Sequence, residues 1–333
     1  MSRWIADYYD RGLVSVIIPT YNRSGMLVEA MDSVFAQTYR PIELIVVDDG
    51  STDDTQEVLE HWAREHPDSP SFSLLSIHQA NQGAQVARNR GLRESRGEFI
   101  QFLDSDDILL PEKMARQVAC FKADRAFDVV YGDWVEGCDL AGAPPGSLGQ
   151  QSDMVVALLS TGWVPTFCYL YRRQQLPADN LWDPTITVNQ DLDYALQVAG
   201  SGLTFGYARG SDGLYRRHPH DRISQKGVLV RASNMVRILK KLEARLLASG
   251  SMTPPRAWAL AHQYLVMGRE AFTENPQCFR EARQQLFRIC PTFKPRNWAY
   301  RLLVGIAGYE MTQRLWNAAR KIRRVNKAGI QYR

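Results

Sequence analysis

The first 110 residues contain four short apolar runs, and each is followed by polar residues and then by a helical pattern. The runs lie at residues 14–18, 42–47, 72–77 and 99–103. Apolar runs of this length, alternating with amphipathic helices, predict β-α-β units and a largely parallel sheet with right-handed crossovers. Ligands of such sheets bind beyond the carboxyl ends of the strands. We therefore expect the functional site at the polar segments that follow the runs.

The most acidic of these segments follows the fourth run. Asp104, Asp106 and Asp107 place three carboxylates within four residues, and their mutual repulsion is unfavourable unless a cation neutralises them. Carboxylate oxygens suit Mg²⁺ or Mn²⁺, which share their remaining positions with water and substrate phosphates. The pattern predicts a divalent metal that holds a diphosphate. A solvated turn before the next helix is the alternative, because an Asp-x-Asp pattern is weak evidence alone.

The segment after the first run has neither the Gly-x-Gly-x-x-Gly pattern nor the Gly-Lys-Ser/Thr loop. Dinucleotide-binding and P-loop proteins hold phosphates with such loops. Their absence here means that metal and side chains must hold the phosphates instead.

The charge of the chain changes sharply near residue 221. Residues 221–333 contain 22 Lys and Arg against 6 Asp and Glu, whereas the preceding 220 residues contain 18 against 30. Strand patterns also stop there, and four helical patterns follow at 228–248, 255–272, 276–289 and 297–325. We predict two domains, an α/β domain at residues 1–224 and a basic helical C-terminal extension at residues 225–333.

No apolar run approaches the roughly 18 residues of a membrane span, and the N-terminus has no signal-peptide core. The five dispersed cysteines fit a reducing compartment and predict neither a zinc site nor a disulfide framework. We expect a cytoplasmic protein.

The basic extension ends in a helical pattern that carries aromatic residues, followed by a basic cluster at residues 320–324. Such a helix can lie peripherally on the anionic cytoplasmic face of a membrane. It can equally pack on the α/β domain with its charges outward, and both interpretations stay open. Nucleic acid is not an expected partner, because no recognition module accompanies the charge.

Four segments at the predicted strand ends form a recognisable set: residues 14–22, residues 47–53, residues 81–83 with 87–89, and residues 102–107. Together they resemble the family 2 glycosyltransferases, which have the GT-A fold. They follow the family's order and spacing, and weaker matches continue to about residue 224. The resemblance implies an inverting, nucleotide-sugar-dependent transferase whose mostly parallel α/β sheet is flanked by helices, here with an all-α extension.

The resemblance also implies where a nucleotide-sugar donor binds. Asp106 would bind the divalent metal, and Asp104 would bind the ribose or the metal. Asp49 would accept hydrogen bonds from the base or ribose. The full set of residues expected at the nucleotide sugar is Pro19, Thr20, Tyr21, Asp49, Arg88, Asp104 and Ser105.

Several of these residues have simpler alternatives. Tyr21 would then be a core aromatic at a strand end, and Asp49 a turn former before Gly50. Arg88 would be a charge on the surface of a helix. Asp48 is more consistent with a structural partner at the sheet edge than with a ligand.

The candidate catalytic base is Asp191. The family has Glu-Asp here with the Asp as base, whereas this chain has Gln190 before Asp191. The substitution removes a neighbouring carboxylate but keeps the group that would take a proton from an acceptor hydroxyl. An N-cap of the following helix is the alternative, and the two roles are compatible.

Two further residues are expected around the site. His218 lies in a segment that resembles the family's late Tyr-Arg-x-His pattern, so it would complete the metal site as a neutral imidazole, with Arg216 or Arg217 neutralising phosphate. Trp163 is a candidate platform for an acceptor sugar, with a core tryptophan as the alternative.

The resemblance favours transfer to a glycan or lipid-linked acceptor in bacterial-type cell-surface polysaccharide or lipid-linked glycan assembly. A sugar-phosphate nucleotidyltransferase is one rival, but it would need a glycine-rich basic loop after the first strand. A non-catalytic nucleotide-sugar or glycan binding module is another. Loss of Asp106 or Asp191 would favour the binding module, and both residues are present.

Overall fold

The computed structural model describes residues 9–140, 142, 144–161, 163–176, 181–217, 227–295 and 297–330. The chain divides into two compact units, residues 1–224 and residues 225–333. The first unit is an α/β structure and the second is helical.

The first unit opens with alternating strands and helices, as the apolar runs predict. The first strand, β1 (Asp10–Thr20), pairs in parallel with β2 (Ile42–Asp48) and with β4 (Gly97–Phe102). Strand β2 pairs in parallel with β3 (Phe72–His78). Strands β1 and β2, in the centre of this part of the sheet, are buried over nearly their whole length. These elements are β1 (Asp10–Thr20), α1 (Ser24–Phe35), β2 (Ile42–Asp48), α2 (Thr55–Glu65), β3 (Phe72–His78), α3 (Ala84–Glu94) and β4 (Gly97–Phe102).

The remainder of the unit extends the same sheet in mixed directions. The elements are β5 (Ile108–Leu109), α4 (Lys113–Ala123), β6 (Val129–Gly137), β7 (Pro145–Gly146), α5 (Met154–Thr161), β8 (Tyr169–Arg172), α6 (Gln190–Gly200) and β9 (Phe205–Arg216). The strand order is β3-β2-β1-β4-β8-β6-β9-β5, with β7 on β6. β8 is antiparallel to β4 and β6, whereas β6 and β9 are parallel.

The apolar patterns do not predict β9, because glycines and polar residues interrupt it. Two of these glycines are needed where neighbouring groups approach closely. A Cβ atom at Gly213 would lie 2.4 Å from the carbonyl oxygen of Ile108, and one at Gly206 would lie 2.5 Å from the ring of Phe127. Tight packing, rather than apolar periodicity, therefore defines this strand.

Close packing also sets the position of α3 on the sheet. A Cβ atom at Gly91 would lie 2.5 Å from a methyl carbon of Ile17, so only glycine allows the helix to approach β1 this closely. Arg88 lies one turn earlier on the same helix and is thereby placed at the carboxyl edge of the sheet.

A buried polar network supports the segment that follows the acidic turn. The Asp212 carboxylate in β9 accepts hydrogen bonds from Arg116 at 2.5 Å and from Gln117 at 2.7 Å, both in α4. Burial raises the pKa of Asp212 to about 7, against the opposing charges of Lys113 and Arg116. Leu110 N donates to the Asp212 carbonyl oxygen at 2.9 Å, so the network fixes the chain just beyond β5.

The second unit consists of four helices close to the predicted patterns. They are α7 (Val228–Ala248), α8 (Pro254–Ala271), α9 (Pro276–Ile289) and α10 (Trp298–Ile330). The Asn275 side chain caps α9 by accepting from Gln277 N and Cys278 N. Helix α10 bends at Gly308, whose backbone is not helical (φ 71°, ψ 169°). None of the helices in the described ranges is long and apolar enough to cross a membrane.

Candidate active site

The carboxyl ends of β1, β2 and β4 meet at one edge of the sheet. Thr20 pairs with Asp48 across β1 and β2, and Asp49 N donates to the Thr20 carbonyl oxygen at 2.9 Å. On the other side of β1, Leu103 N donates to the Ile17 carbonyl oxygen at 3.0 Å. The acidic turn after β4 therefore begins beside the end of β1, as the parallel order requires.

The three aspartates of the acidic turn form one cluster. Asp104, Asp106 and Asp107 each offer a carboxylate oxygen, and these oxygens lie within 4.8 Å of one another. Burial raises the pKa of Asp107 well above its usual range, and the negative charges of Asp106 and Asp104 raise it further. Arg216 N partly opposes this by donating to Asp107 at 3.0 Å. A cluster of hard oxygen donors with crowded negative charge fits a divalent cation.

Arg88 lies beside this cluster in a fixed position. Its guanidinium donates to Asp104 at 2.5 Å and to the Gln190 side-chain oxygen at 3.2 Å. The guanidinium carbon lies 4.3 Å from the centre of the Trp182 ring. Asn89, the next residue of α3, holds the Trp182 backbone through two hydrogen bonds of 2.8 and 2.9 Å. Only 5% of the Arg88 side chain is exposed, so it is not the surface charge that was the alternative.

A second arginine contacts the cluster from the loop after β1. The Arg23 guanidinium pairs with the Asp106 carboxylate, and 31% of the Arg23 side chain is exposed. Arg216 supports the turn from β9, because its side chain donates to the Asp106 carbonyl oxygen and pairs with Glu29 at 2.7 Å. Asp104 and Asp106, the two partly exposed carboxylates of the cluster, are thus each paired with an arginine.

Asp191 lies half-buried in the first turn of α6, near Asp104 and Arg88. Burial and the charge of Asp104 raise the pKa of Asp191 to about 6, whereas Arg88 and a hydrogen bond from the Trp163 side chain lower it. The N-cap of α6 is Asn189, which has a left-handed backbone (φ 60°). Asp191 itself lies inside the helix, so the N-cap alternative for this residue is wrong.

Trp163 has more than one role in this region. Its indole N–H is a donor only, and it hydrogen-bonds the Asp191 carboxylate. The ring packs edge-on against the rings of Trp134 and Tyr215, with 6.0 and 4.6 Å between ring centres. The half-buried ring is therefore held in place beside the candidate base.

Asp49 is tied to the loop before α3. Its carboxylate accepts from the Gln79 side chain at 2.7 Å, from Gln82 N at 3.0 Å and from Gly83 N at 2.7 Å. A carboxylate has about four acceptor positions, so three donors leave room for one more. The preceding Asp48 is buried and accepts from Ser51 N and His78, both at 2.9 Å.

The remaining predicted residues lie along the same edge. Pro19 and Thr20 are buried at the end of β1, and Tyr21 is 46% exposed rather than part of the core. The buried Thr20 hydroxyl has no hydrogen-bond partner among the described residues. Ser105 is buried within the acidic turn. His218 lies outside the described residues.

Three residues that sequence reasoning did not assign contribute to the site: Arg23, Gln190 and Trp182. Arg23 follows a predicted strand end, a position that could have marked it. Gln190 was noted only as a departure from the family pattern, yet it accepts from Arg88. No local pattern marks Trp182, because its place under Arg88 depends on a tertiary contact with α3.

The chain is similar in sequence to known glycosyltransferases. Residues 15–173 match the model of Glycosyl transferase family 2. The chain is 36% identical over 170 residues to an uncharacterized glycosyltransferase from Nostoc sp., a match that covers 49% of this chain and 52% of that protein. It is 37% identical over 123 residues to glycosyltransferase GlyG from Streptococcus pneumoniae, covering 37% of this chain and 39% of that protein. The chain thus spans about half the length of these relatives or less.

Solved structures show the same fold at low identity. The crystal structure of S. aureus TarS 1–349 matches with a TM-score of 0.69 and 17% identity, covering 92% of this chain and 91% of that chain. Mannosyltransferase PcManGT from Pyrobaculum calidifontis, solved with GDP-Man and Mn²⁺, matches with a TM-score of 0.56 and 21% identity, covering 95% and 88%. TarS 1–349 has also been solved with UDP and with UDP-GlcNAc.

The fold is an α/β fold of the GT-A type, and an acidic cluster lies at the carboxyl edge of its sheet. Residues 15–173, slightly less than half of the chain, are similar to glycosyl transferase family 2. The resemblance stated from the sequence motifs, and the fold that it implied, are confirmed.

Proposed function

We propose that the protein is a metal-dependent inverting glycosyltransferase that moves a sugar from a nucleotide-diphosphate sugar to an acceptor hydroxyl. The observation that carries the proposal is the arrangement of Asp191, Arg88 and Asp104. A carboxylate with a pKa near 6 lies within electrostatic range of an acidic cluster, and a fixed arginine lies beside both. One group can accept a proton while the others hold a diphosphate.

The donor is bound along the strand ends in this proposal. Tyr21 offers an exposed ring for the base or ribose. The buried Thr20 hydroxyl at the same strand end has no hydrogen-bond partner within the described ranges. Asp49 shapes the neighbouring loop and retains one acceptor position. The solved neighbours with UDP, UDP-GlcNAc and GDP-Man support a nucleotide-sugar donor.

Asp104 and Asp106 would hold Mn²⁺ or Mg²⁺, with Asp107 behind them. When bound, such an ion neutralises charge on the leaving nucleoside diphosphate. The Mn²⁺ complex of PcManGT and the oxygen cluster of this chain support this assignment. Arg88 adds a fixed positive charge at the same place, which stabilises the charge that develops as the diphosphate leaves.

Asp191 is the base of the proposed reaction. Its pKa of about 6 leaves it mostly ionised at neutral pH, so it can take the proton of an acceptor hydroxyl that attacks the anomeric carbon. A single displacement, with no protein nucleophile, inverts the anomeric configuration. The Trp163 N–H orients the carboxylate, and the ring beside it can also contact an acceptor sugar.

Residues 1–224 would form the catalytic domain, and residues 225–333 a basic helical extension. The solvent side of α10 carries apolar and basic residues that are all exposed. This composition supports peripheral contact with an anionic membrane surface and a glycan or lipid-linked acceptor. The residues are Arg301, Leu302, Ile306, Met311, Arg314 and Leu315.

The test is a panel of nucleotide sugars assayed for binding and hydrolysis with Mn²⁺, Mg²⁺ or a chelator. We expect metal-dependent binding of one donor, lost in Asp106→Ala. Asp191→Asn should keep donor binding and lose transfer. Asp54→Ala is the matched control, since Asp54 is an exposed aspartate that caps no helix through its side chain. If no donor binds in a metal-dependent way, the protein is better explained as a non-catalytic binding module.

A further inference from the structure

The two arginines at the acidic turn are held in different ways. Arg88 is almost fully buried, lies over the Trp182 ring and donates to both Asp104 and Gln190. Arg23 has 31% of its side chain exposed, and Asp106 is its only ion-pair partner within the described ranges. Arg88 is therefore fixed by several contacts, whereas Arg23 is held by one carboxylate.

The backbone that carries Arg23 is well anchored. Asn22 N donates to the Ser51 hydroxyl at 2.9 Å, and the Asn22 side chain accepts from Thr52 N at 2.7 Å. Ser24 begins helix α1. The loop after β1 is thus tied to the loop after β2, so any movement of Arg23 is confined to its long side chain.

The carboxylate that Arg23 contacts is also the one best placed for the metal. Asp106 is partly exposed, whereas Asp107 is buried. Asp104 is paired with the fixed Arg88. A divalent cation that approaches from solvent can therefore replace the partly exposed Arg23 at Asp106 more readily than it can replace the buried Arg88 at Asp104.

We propose that Arg23 neutralises Asp106 while the metal is absent and transfers to the donor diphosphate once the metal has taken that carboxylate. A metal ion and a guanidinium that contact the same carboxylate repel each other, so a metal on Asp106 would weaken the ion pair with Arg23. Neighbouring ligands of a bound octahedral Mg²⁺ or Mn²⁺ would lie about 3 Å apart, given metal–oxygen distances of about 2.1 Å. A diphosphate oxygen on the same ion as Asp106 is then within reach of the displaced guanidinium, which can bind phosphate through two N–H groups.

The consequence is a positive coupling between metal and nucleotide. The metal alone competes with Arg23, so its binding is weakened. With the diphosphate present, the displaced Arg23 gains a new partner, so each ligand strengthens the binding of the other. The side chain thereby favours joint binding of metal and donor over binding of the metal alone.

This inference rests on the proposed function, and the experiment separates the two. Mn²⁺ binding is measured by electron paramagnetic resonance and calorimetry, alone and with UDP, GDP, CDP or dTDP. In Arg23→Ala we expect Mn²⁺ alone to bind about 3- to 10-fold tighter and the nucleoside diphosphate, at saturating Mn²⁺, to bind about 10-fold weaker. The control is Arg90→Ala, which removes an exposed α3 arginine paired with Glu94 at 3.0 Å and should change neither.

Arg23→Lys keeps the charge but loses the two-pronged contact, so it should hold Mn²⁺ affinity near wild type while weakening the nucleotide. Unchanged Mn²⁺ affinity in Arg23→Ala would overturn the role of Arg23 and leave the proposed function intact. Weaker binding of Mn²⁺ alone would also overturn it, since Arg23 would then only support the turn. A wild-type protein that binds no Mn²⁺ with any nucleotide would refute the proposed metal site, and the inference with it.

Discussion

Two aspartate turns lie at neighbouring strand ends of the same sheet and are stabilised by different groups. After β2, Asp48 and Asp49 accept hydrogen bonds from three backbone N–H groups and from the side chains of Gln79 and His78. After β4, the carboxylates of Asp104 and Asp106 are met by arginines. The first turn is neutralised by dipoles of the protein itself, and the second depends on cations.

This difference shows why the first turn needs no cation, whereas the second turn is a candidate metal site. Carboxylates that accept several backbone N–H groups are already stabilised in the folded protein. Carboxylates crowded against one another remain unfavourable until a cation is supplied, and an arginine can be replaced by a metal. Exchange of the cation is possible only at the second turn.

The largest effect is expected for Asp106→Asn. Loss of this carboxylate removes the metal ligand and should lower transfer about 10³-fold, because metal stabilisation of the leaving group accounts for several kcal/mol. The fold should be unaffected or slightly stabilised, since repulsion within the cluster decreases. Steady-state transfer and thermal unfolding of the same preparation check both expectations. Transfer within tenfold of wild type would remove Asp106 from the site.

Asp49→Ala, in contrast to Asp106→Asn, is expected to lower the stability of the fold. Three donors lose their acceptor, so the free energy of unfolding should fall by about 3 kcal/mol. Asp53→Ala is the control and should cost about 1 kcal/mol. This exposed residue accepts from Thr55 N and Oγ1 in its own turn and, at 3.4 Å, from Ser24 N. Chemical denaturation gives both values. Equal costs would contradict the structural role assigned to Asp49.

The buried Asp107 should make the free energy of unfolding depend on pH. Its pKa is raised by burial and by Asp106 and Asp104, so the folded protein binds the proton more tightly than the unfolded chain does. Stability from this group is therefore complete in acid and is lost as pH rises above about 3.9 toward the folded pKa. In chelator, Asp107→Asn should be more stable than wild type at pH 8, by about 1–3 kcal/mol. No gain at pH 8 would contradict the assignment.

The smallest effect is expected for a change that shifts the pKa of the candidate base, Asp191. A base must be ionised, so transfer should increase with pH through the pKa of Asp191, which burial and Asp104 raise to about 6. A metal on Asp104 would move this limb downward. Trp163→Phe removes the hydrogen bond that lowers the pKa, so the acid limb should move to higher pH and transfer at pH 7 should fall about 10-fold. Binding of the donor should stay the same. A pH profile identical to that of wild type would show that Trp163 does not act through Asp191.

Much of the site could be predicted because its residues follow strand ends. Thr20, Asp49 and Asp106 come directly after apolar runs, and parallel strands bring such positions to one edge. The four helices of the basic extension were also predicted closely, since their apolar periodicity is strong. Strand ends and helical periodicity can both be predicted because each depends on residues that are close in sequence.

The sequence by itself therefore determined the order of the β-α units, the place of the acidic turn and the residues at the strand ends. Only the tertiary structure decided which carboxylates are held by backbone donors and which by arginines. It also joined Trp163 to Asp191 and laid Trp182 under Arg88. The physical reason is that local periodicity depends on neighbours along the chain, whereas the pKa of a carboxylate and its partners depend on burial and on charges brought from distant segments.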